Sequence, residues 1–116
     1  MKKYALAIDV LFLLVFVGIG RSAHRHGVTL AGMASTTWPF AVGLLVGWLV
    51  VRRSHREAWT PISGLVIVLA TVTLGMLLRV VSGQGTALAF VVVALTFLSL
   101  FLVGWRWVAG MWSRRR

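Results

Sequence analysis

The chain has no cysteine, only two acidic residues, and few charges of any kind. Each shortage excludes something. Without cysteine there is no disulfide, no thiol nucleophile and no thiolate metal site. Two carboxylates, Asp9 and Glu57, leave little for acid–base chemistry. Charged residues make up 12% of the chain, against about a quarter in a soluble domain, so most of the chain must face something other than water. There is no G-x-S-x-G, H-E-x-x-H, Walker loop or dinucleotide fingerprint. These absences lean against an enzyme, and no cofactor is expected.

What is present is apolar. The 116 residues are 59% hydrophobic, with a mean hydropathy of +0.94. A bilayer core about 30 Å thick needs roughly 20 apolar residues per helix, so the chain has room for about four spans and no soluble module. The apolar runs place them at about 4–20, 30–51, 59–78 and 86–105, in one domain over 1–116. The expected fold is all-α, an integral membrane four-helix bundle. MKK before an apolar run resembles a signal peptide. However, Asp9 interrupts the run, no good A-x-A site follows, and three more spans come after it, so the first run is expected to remain a span. The Gly-rich turn 82-SGQGT-86 makes spans three and four antiparallel neighbours. In span two, Phe40 to Val51 covers only roughly 18 Å, so the helix must begin near Leu30 with Pro39 inside it. Proline lacks an N–H and clashes with the carbonyl four residues back. A kink is expected at Pro39, with Ser35, Thr36 and Thr37 supplying hydroxyls to the freed carbonyl.

The formal charge is +10. In a soluble protein that would suggest nucleic acid. Here the basic residues sit in the gaps between apolar runs, without a basic helix or aromatic–basic interleaving, so the expected partners are membrane lipids and not nucleic acid. Four spans put both termini on one side. That side holds nine of the twelve basic residues: Lys2, Lys3, Arg52, Arg53, Arg56, Arg106, Arg114, Arg115 and Arg116. The other holds Arg21, Arg25 and Arg79. The positive-inside rule then gives a multi-pass protein of the cell (plasma) membrane with cytoplasmic N- and C-termini. Trp48, Trp59, Trp105, Trp107 and Trp112 cluster near the cytoplasmic face and read as interfacial anchors.

Asp9 is the only acid inside a span, about five residues in, or roughly 7–8 Å deep by helical rise. An ionised group there should face the bundle and find a partner. Arg106 is nearest in depth, with Arg52 and Arg53 as alternatives. The leading reading is a structural ion pair. A proton or cation relay, or a carboxylate snorkelling to the interface, are the others. On the outer side, Arg21 and Arg79 with His24 nearby suit an anion or a lipid headgroup, since the guanidinium fork matches phosphate and carboxylate. The plainer alternative is two arginines snorkelling to headgroups. No metal site is expected, because His24 and His26 do not share a helical face and the outer side lacks carboxylates and thiols. Gly43-x-x-x-Gly47 reads as a close-packing face, within the chain or between protomers. Thr71, Thr73, Thr96 and Ser99 read as helix-to-helix hydrogen bonds, or with Pro39 as the lining of a small polar cleft.

An internal repeat is suggested. Val46-Gly47-Trp48 recurs as Val103-Gly104-Trp105 at an offset of 57 residues, and Phe40 with Phe97 and Gly18 with Gly75 share that offset. Arg21 and Arg79 are 58 apart. The pattern points to two repeated helical hairpins about an axis along the membrane normal.

Five motifs together resemble a family of small, uncharacterised four-helix bacterial and archaeal membrane proteins, catalogued as a domain of unknown function. They are Asp9 early in span one; Gly20, Arg21 and His24; Trp38-Pro39-Phe40; Gly75-Met76-x-x-Arg79; and Gly104-Trp105-Arg106. The resemblance covers nearly the whole chain and implies fold and location only. The expected function is a non-catalytic accessory or assembly subunit with an outer-side, arginine-centred anion or headgroup site. It would work in a membrane protein complex or a homo-oligomer. The alternative is a small oligomeric transporter or channel for anions or small metabolites.

The absence of cysteine makes orientation directly testable. In intact cells, Ser82→Cys should react with an impermeant maleimide, and Ser54→Cys should react only after permeabilisation. The reverse pattern would invert the topology.

Overall fold

The computed structural model describes residues 4–23, 30–83 and 88–115, side chains excepted at 21–23, 30, 89 and 113–115. The protein is all-helical across these residues. Helix α1 is Ala5–Ala23, α2 Leu30–Arg53, α3 Pro61–Val81 and α4 Leu88–Leu98. A π-helical turn, Ser99–Val103, then leads into α5, Gly104–Arg115. The residues flanking that turn keep α-helical dihedrals, so α4, the π turn and α5 form one continuous fourth rod. It runs past the expected end near residue 105, because Gly104 keeps α-helical dihedrals and no proline follows it. Three segments, Ala31–Arg53, Pro61–Val81 and Phe90–Trp112, are long and apolar enough to cross a membrane. The apolar part of α1, Ala5–Gly20, is shorter. The long axis of the molecule is 45 Å, comparable to a bilayer of about 40–45 Å with its headgroups.

The four rods surround one core. The α1 helix packs on α2 and on the fourth rod, and α3 packs on the same two. Among the described residues, α1 and α3 share no close backbone contact, so they lie diagonally opposite. The core takes Leu13, Phe16 and Val17 from α1, Phe40 and Leu44 from α2, Ile67, Val68 and Val72 from α3, and Ala94, Leu98 and Leu102 from the fourth rod. These recur at spacings of three and four, the period that puts one stripe of a helix inward. Outward positions such as Leu11, Leu45, Leu69 and Leu100 are exposed, which suits a lipid-facing surface.

The tightest pair is α2 on α3. A Cβ on Gly43 would lie 2.8 Å from the Thr71 Cα and carbonyl oxygen, and one on Gly47 would lie 3.0 Å from the Ile67 Cα. The small residues let two backbones touch within the chain. Pro39 is fully buried in an unbroken α2. Next to it, the Phe40 ring lies against Gly75. Phe40 also meets Phe16 edge-on at 6.2 Å and Phe90 at 5.9 Å, while Phe16 meets Phe97 at 5.4 Å. This aromatic layer fills the centre where a polar cleft would run. Thr73 and Thr96 are exposed on the outside. Buried Thr71 donates its hydroxyl to Ile67 O, in its own helix, at 2.6 Å. Its bond stays within α3, because a hydroxyl four residues from a carbonyl finds that partner first.

The loop between α2 and α3 is built by local bonds. The Arg56 N–H bonds to Val51 O and the His55 N–H to Arg52 O, both at 3.1 Å, with His55 left-handed at φ 59°. This pairing closes the end of α2. Thr60 caps α3, its hydroxyl oxygen accepting from the Ser63 N–H, and Pro61 follows in the first turn. Trp59 Nε1 donates to Glu57 at 2.7 Å.

Gly43→Ala should lower stability by about 1–3 kcal/mol, because the new methyl meets backbone atoms that cannot move aside. Gly110→Ala meets open space and should be neutral or stabilising by up to about 1 kcal/mol. Thermal unfolding in detergent distinguishes them, and equal effects would reject the close α2–α3 approach.

Candidate functional site

Near the end that carries the α2–α3 loop, α1 brings Asp9 inward, and its side chain is fully buried. Arg106, in the first turn of α5, meets it and is also fully buried. The pairing is fork to fork. Arg106 Nη1 donates to Oδ1 at 2.8 Å and Nη2 to Oδ2 at 2.6 Å. Such bidentate pairs are the strong form of the guanidinium–carboxylate contact.

Two tryptophans complete the carboxylate's shell. Trp105 Nε1 donates to Oδ1 and Trp48 Nε1 to Oδ2, each at 2.9 Å. Each oxygen therefore accepts two bonds, one charged and one neutral. A carboxylate that only accepts is the form this shell fits. The arginine is equally occupied: Nε donates to Ala58 O and Nη1 also donates to Leu102 O, both at 2.8 Å. Its guanidinium lies 4.7 Å from the Trp105 ring centroid and 6.0 Å from that of Trp48, where ring faces attract a cation.

The local sequence explains the fit. Gly64 on α3 gives the arginine its space, since a Cβ there would lie 2.8 Å from Arg106 Cδ. The π turn lies immediately before Gly104. One extra residue per turn rotates the helix beyond it, and the adjacent Trp105 and Arg106 both reach Asp9. All four helical rods thus contribute to one neutral centre: Asp9, Trp48, Gly64, and Trp105 with Arg106.

Of the residues singled out from sequence, the structure brings Asp9 and Arg106 together. Arg52 and Arg53 are exposed and take no part. Gly43 and Gly47 of α2 pack against α3, and Pro39 is in the core. At the far end, Arg79 closes α3, half-buried, with its guanidinium 4.9 Å from the Phe90 ring centroid. Arg21 is in the last turn of α1, but its side chain and all of His24 lie outside the described residues. No group of three or more metal-ligating side chains occurs among the described residues.

Sequence reasoning missed the tryptophans, reading Trp48 and Trp105 as interface anchors. The signal that pointed to them was the repeated Val-Gly-Trp: its two copies present one indole to each carboxylate oxygen. The repeat is not carried through, because the position matching Arg106 is Leu49, which is 51% exposed.

A family model described as a protein of unknown function, DUF3054, matches residues 6–109. No curated protein and no solved structure matches the chain.

Asp9→Asn should cost about 3–5 kcal/mol, the usual effect of leaving one buried charge unpaired. The swap Asp9→Arg with Arg106→Asp should not restore it, because Trp48, Trp105 and the Ala58 and Leu102 carbonyls keep their polarity. Chemical unfolding in micelles would show this. Full rescue by the swap would mean that charge alone, not the four-donor shell, holds the centre.

Proposed function

The chain belongs to the DUF3054 family of proteins of unknown function, and from that premise we propose that it is a non-catalytic membrane subunit. It assembles with other membrane proteins and offers an arginine-centred anion or headgroup site at the end away from the α2–α3 loop. The observation that carries this reading is the closure of the Asp9–Arg106 centre. A relay carboxylate must exchange protons with a path, and a catalytic one must reach a substrate. Asp9 is fully buried and its oxygens are occupied by four donors within the chain. Its role is to hold helices together, leaving the outer surface for partners and lipid.

Orientation belongs to the same proposal. Arg106 is neutralised by Asp9, so it drops out of the surface charge count. The basic end then keeps eight Lys and Arg against three, which still favours that end as cytoplasmic. The anion site draws on Arg21 and Arg79, both in the last turns of their helices, where cations complement the helix dipole. His24 is a third member by sequence proximity. Arg79 rests on Phe90 by a ring contact, and the edge of its guanidinium has the geometry that suits phosphate or carboxylate. The transport alternative draws less support, because the aromatic layer fills the centre of a single chain.

Native mass spectrometry of gently extracted protein tests the first part. A heteromeric mass is expected, and homo-oligomers alone would favour transport. For the second part, Arg21→Ala and Arg79→Ala should keep the thermal stability of the parent while binding of inorganic phosphate or anionic lipid on the outer side falls at least about tenfold, on the scale of one lost charge-assisted contact. Unchanged binding would remove the site.

A further inference from the structure

Arg106 has one N–H to spare. A guanidinium carries five donors. Four of them have partners: Nε–H on Ala58 O, two from Nη1 on Asp9 Oδ1 and Leu102 O, and one from Nη2 on Asp9 Oδ2. Among the described residues the second Nη2 N–H has none. The side chain is fully buried, and a buried donor without an acceptor is costly. The rigid planar fork sets this N–H side by side with Nε–H. Since Nε–H reaches Ala58 O in the loop between α2 and α3, the spare donor faces that loop as well. Trp59 and Thr60 follow Ala58 there and, together with Arg106, line a cavity of about 440 Å³. Pro61 of α3 and Trp107, Gly110 and Met111 of α5 complete the lining. Small-molecule sites range over about 300–1,000 Å³.

These walls specify an occupant. Among the described residues that line the cavity Arg106 alone is charged, and Asp9 neutralises it, so a neutral molecule fits and an ion does not. The spare N–H calls for an oxygen acceptor. The Thr60 hydroxyl is already engaged with Glu57 O and with Ser63, and the Trp59 N–H with the Glu57 carboxylate. Trp59 therefore offers the cavity its ring. Two indoles and the Met111 thioether are surfaces that favour a flat ring. Gly110 leaves room for it, since a Cβ there would meet no atom within 4 Å. The cavity lies where Pro61 opens one membrane-spanning segment and where Phe90–Trp112 nears its end, a depth that molecules dissolved in the bilayer reach. A lipid ester also carries a carbonyl, but its acyl chain brings no flat ring to the indoles.

We propose that this cavity binds a neutral, flat, carbonyl-bearing molecule of the quinone class, taken from the bilayer. Its carbonyl oxygen accepts from Arg106 Nη2, and its ring lies between Trp59 and Trp107. The site is independent of the arginine site at the other end of the molecule. The test uses the full chain in nanodiscs of ester-linked phosphatidylcholine, measured against empty nanodiscs. The probes are radiolabelled menadione and 2-methylnaphthalene, which has the same ring and methyl group but no carbonyl. The chain has no cysteine, so menadione forms no thiol adduct. Menadione should bind saturably and at least about tenfold tighter than 2-methylnaphthalene, the low end for a hydrogen bond from a charged donor. Gly110→Leu, which fills the cavity, should remove saturable binding, while Gly104→Leu, the same change outside this lining, should leave it. Equal affinity for the two probes would mean that water alone satisfies the N–H and would overturn the site, and so would binding unaffected by Gly110→Leu. If that variant fails to fold, Trp107→Ala removes one wall and should weaken menadione binding severalfold; no change would count against the site equally. Nanodiscs of ether-linked lipid, which has no ester carbonyl, should give the same menadione affinity. Markedly tighter binding there would assign the spare N–H to a lipid ester and overturn the proposal.

Discussion

The carboxylate of Asp9 sets the terms for the rest of the molecule. A charge inside an apolar bundle is tolerated only when every bond it can make is made. Here that demand reaches every rod. The fourth rod must bring both an indole and a guanidinium, α2 must bring a second indole, and α3 must stand back far enough for the arginine stem to pass. The loop after α2 must turn so that the Ala58 carbonyl faces inward. Four apolar helices could slide on one another with little change in buried area. A fork-to-fork ion pair with two directional indole bonds defines one register.

The aromatic layer works by a different principle at the other depth. Phe16, Phe40, Phe90 and Phe97 contact one another at tilted and edge-on angles, the geometry ring quadrupoles prefer. Arg79 rests on Phe90 at the edge of that layer. The motifs that carry the family resemblance meet in space. Asp9 pairs with Trp105 and Arg106 of the Gly-Trp-Arg segment. Phe40 of Trp-Pro-Phe lies on Gly75 of the Gly-Met-x-x-Arg segment. Each motif supplies one side of a contact, and none is complete alone.

Much of this was legible because lipid leaves few options. Helix number follows from hydropathy. The depth of Asp9 selects Arg106 among the arginines, since both lie the same short distance from one face. What was not legible depends on rotation about a helix axis. Of five tryptophans near one face, only the Val-Gly-Trp repeat sets Trp48 and Trp105 apart in sequence, and it does not say that they turn inward to Asp9 while Trp107 and Trp112 are largely exposed. That split comes from the π turn and the α2–α3 contact, and neither has a simple local signature. Gly64 carries no sign of its role either, because the Arg106 stem it accommodates lies 42 residues later in the chain. Glycines at 43 and 47 were readable because their spacing announces a face.

The two halves of the ion pair are 97 residues apart, and this bears on how the protein is made. Asp9 is synthesised 97 residues before Arg106. At roughly 5–20 residues per second, the acid waits on the order of 5–20 s for its partner to emerge. During that interval the first helix carries an unmatched charge, and both indole donors are also missing or unplaced. The nascent chain cannot commit α1 to its final position early. The Asp9 centre can close only once the helix that carries Arg106 is in place, and a chain truncated before Arg106 keeps an unmatched acid in an apolar segment.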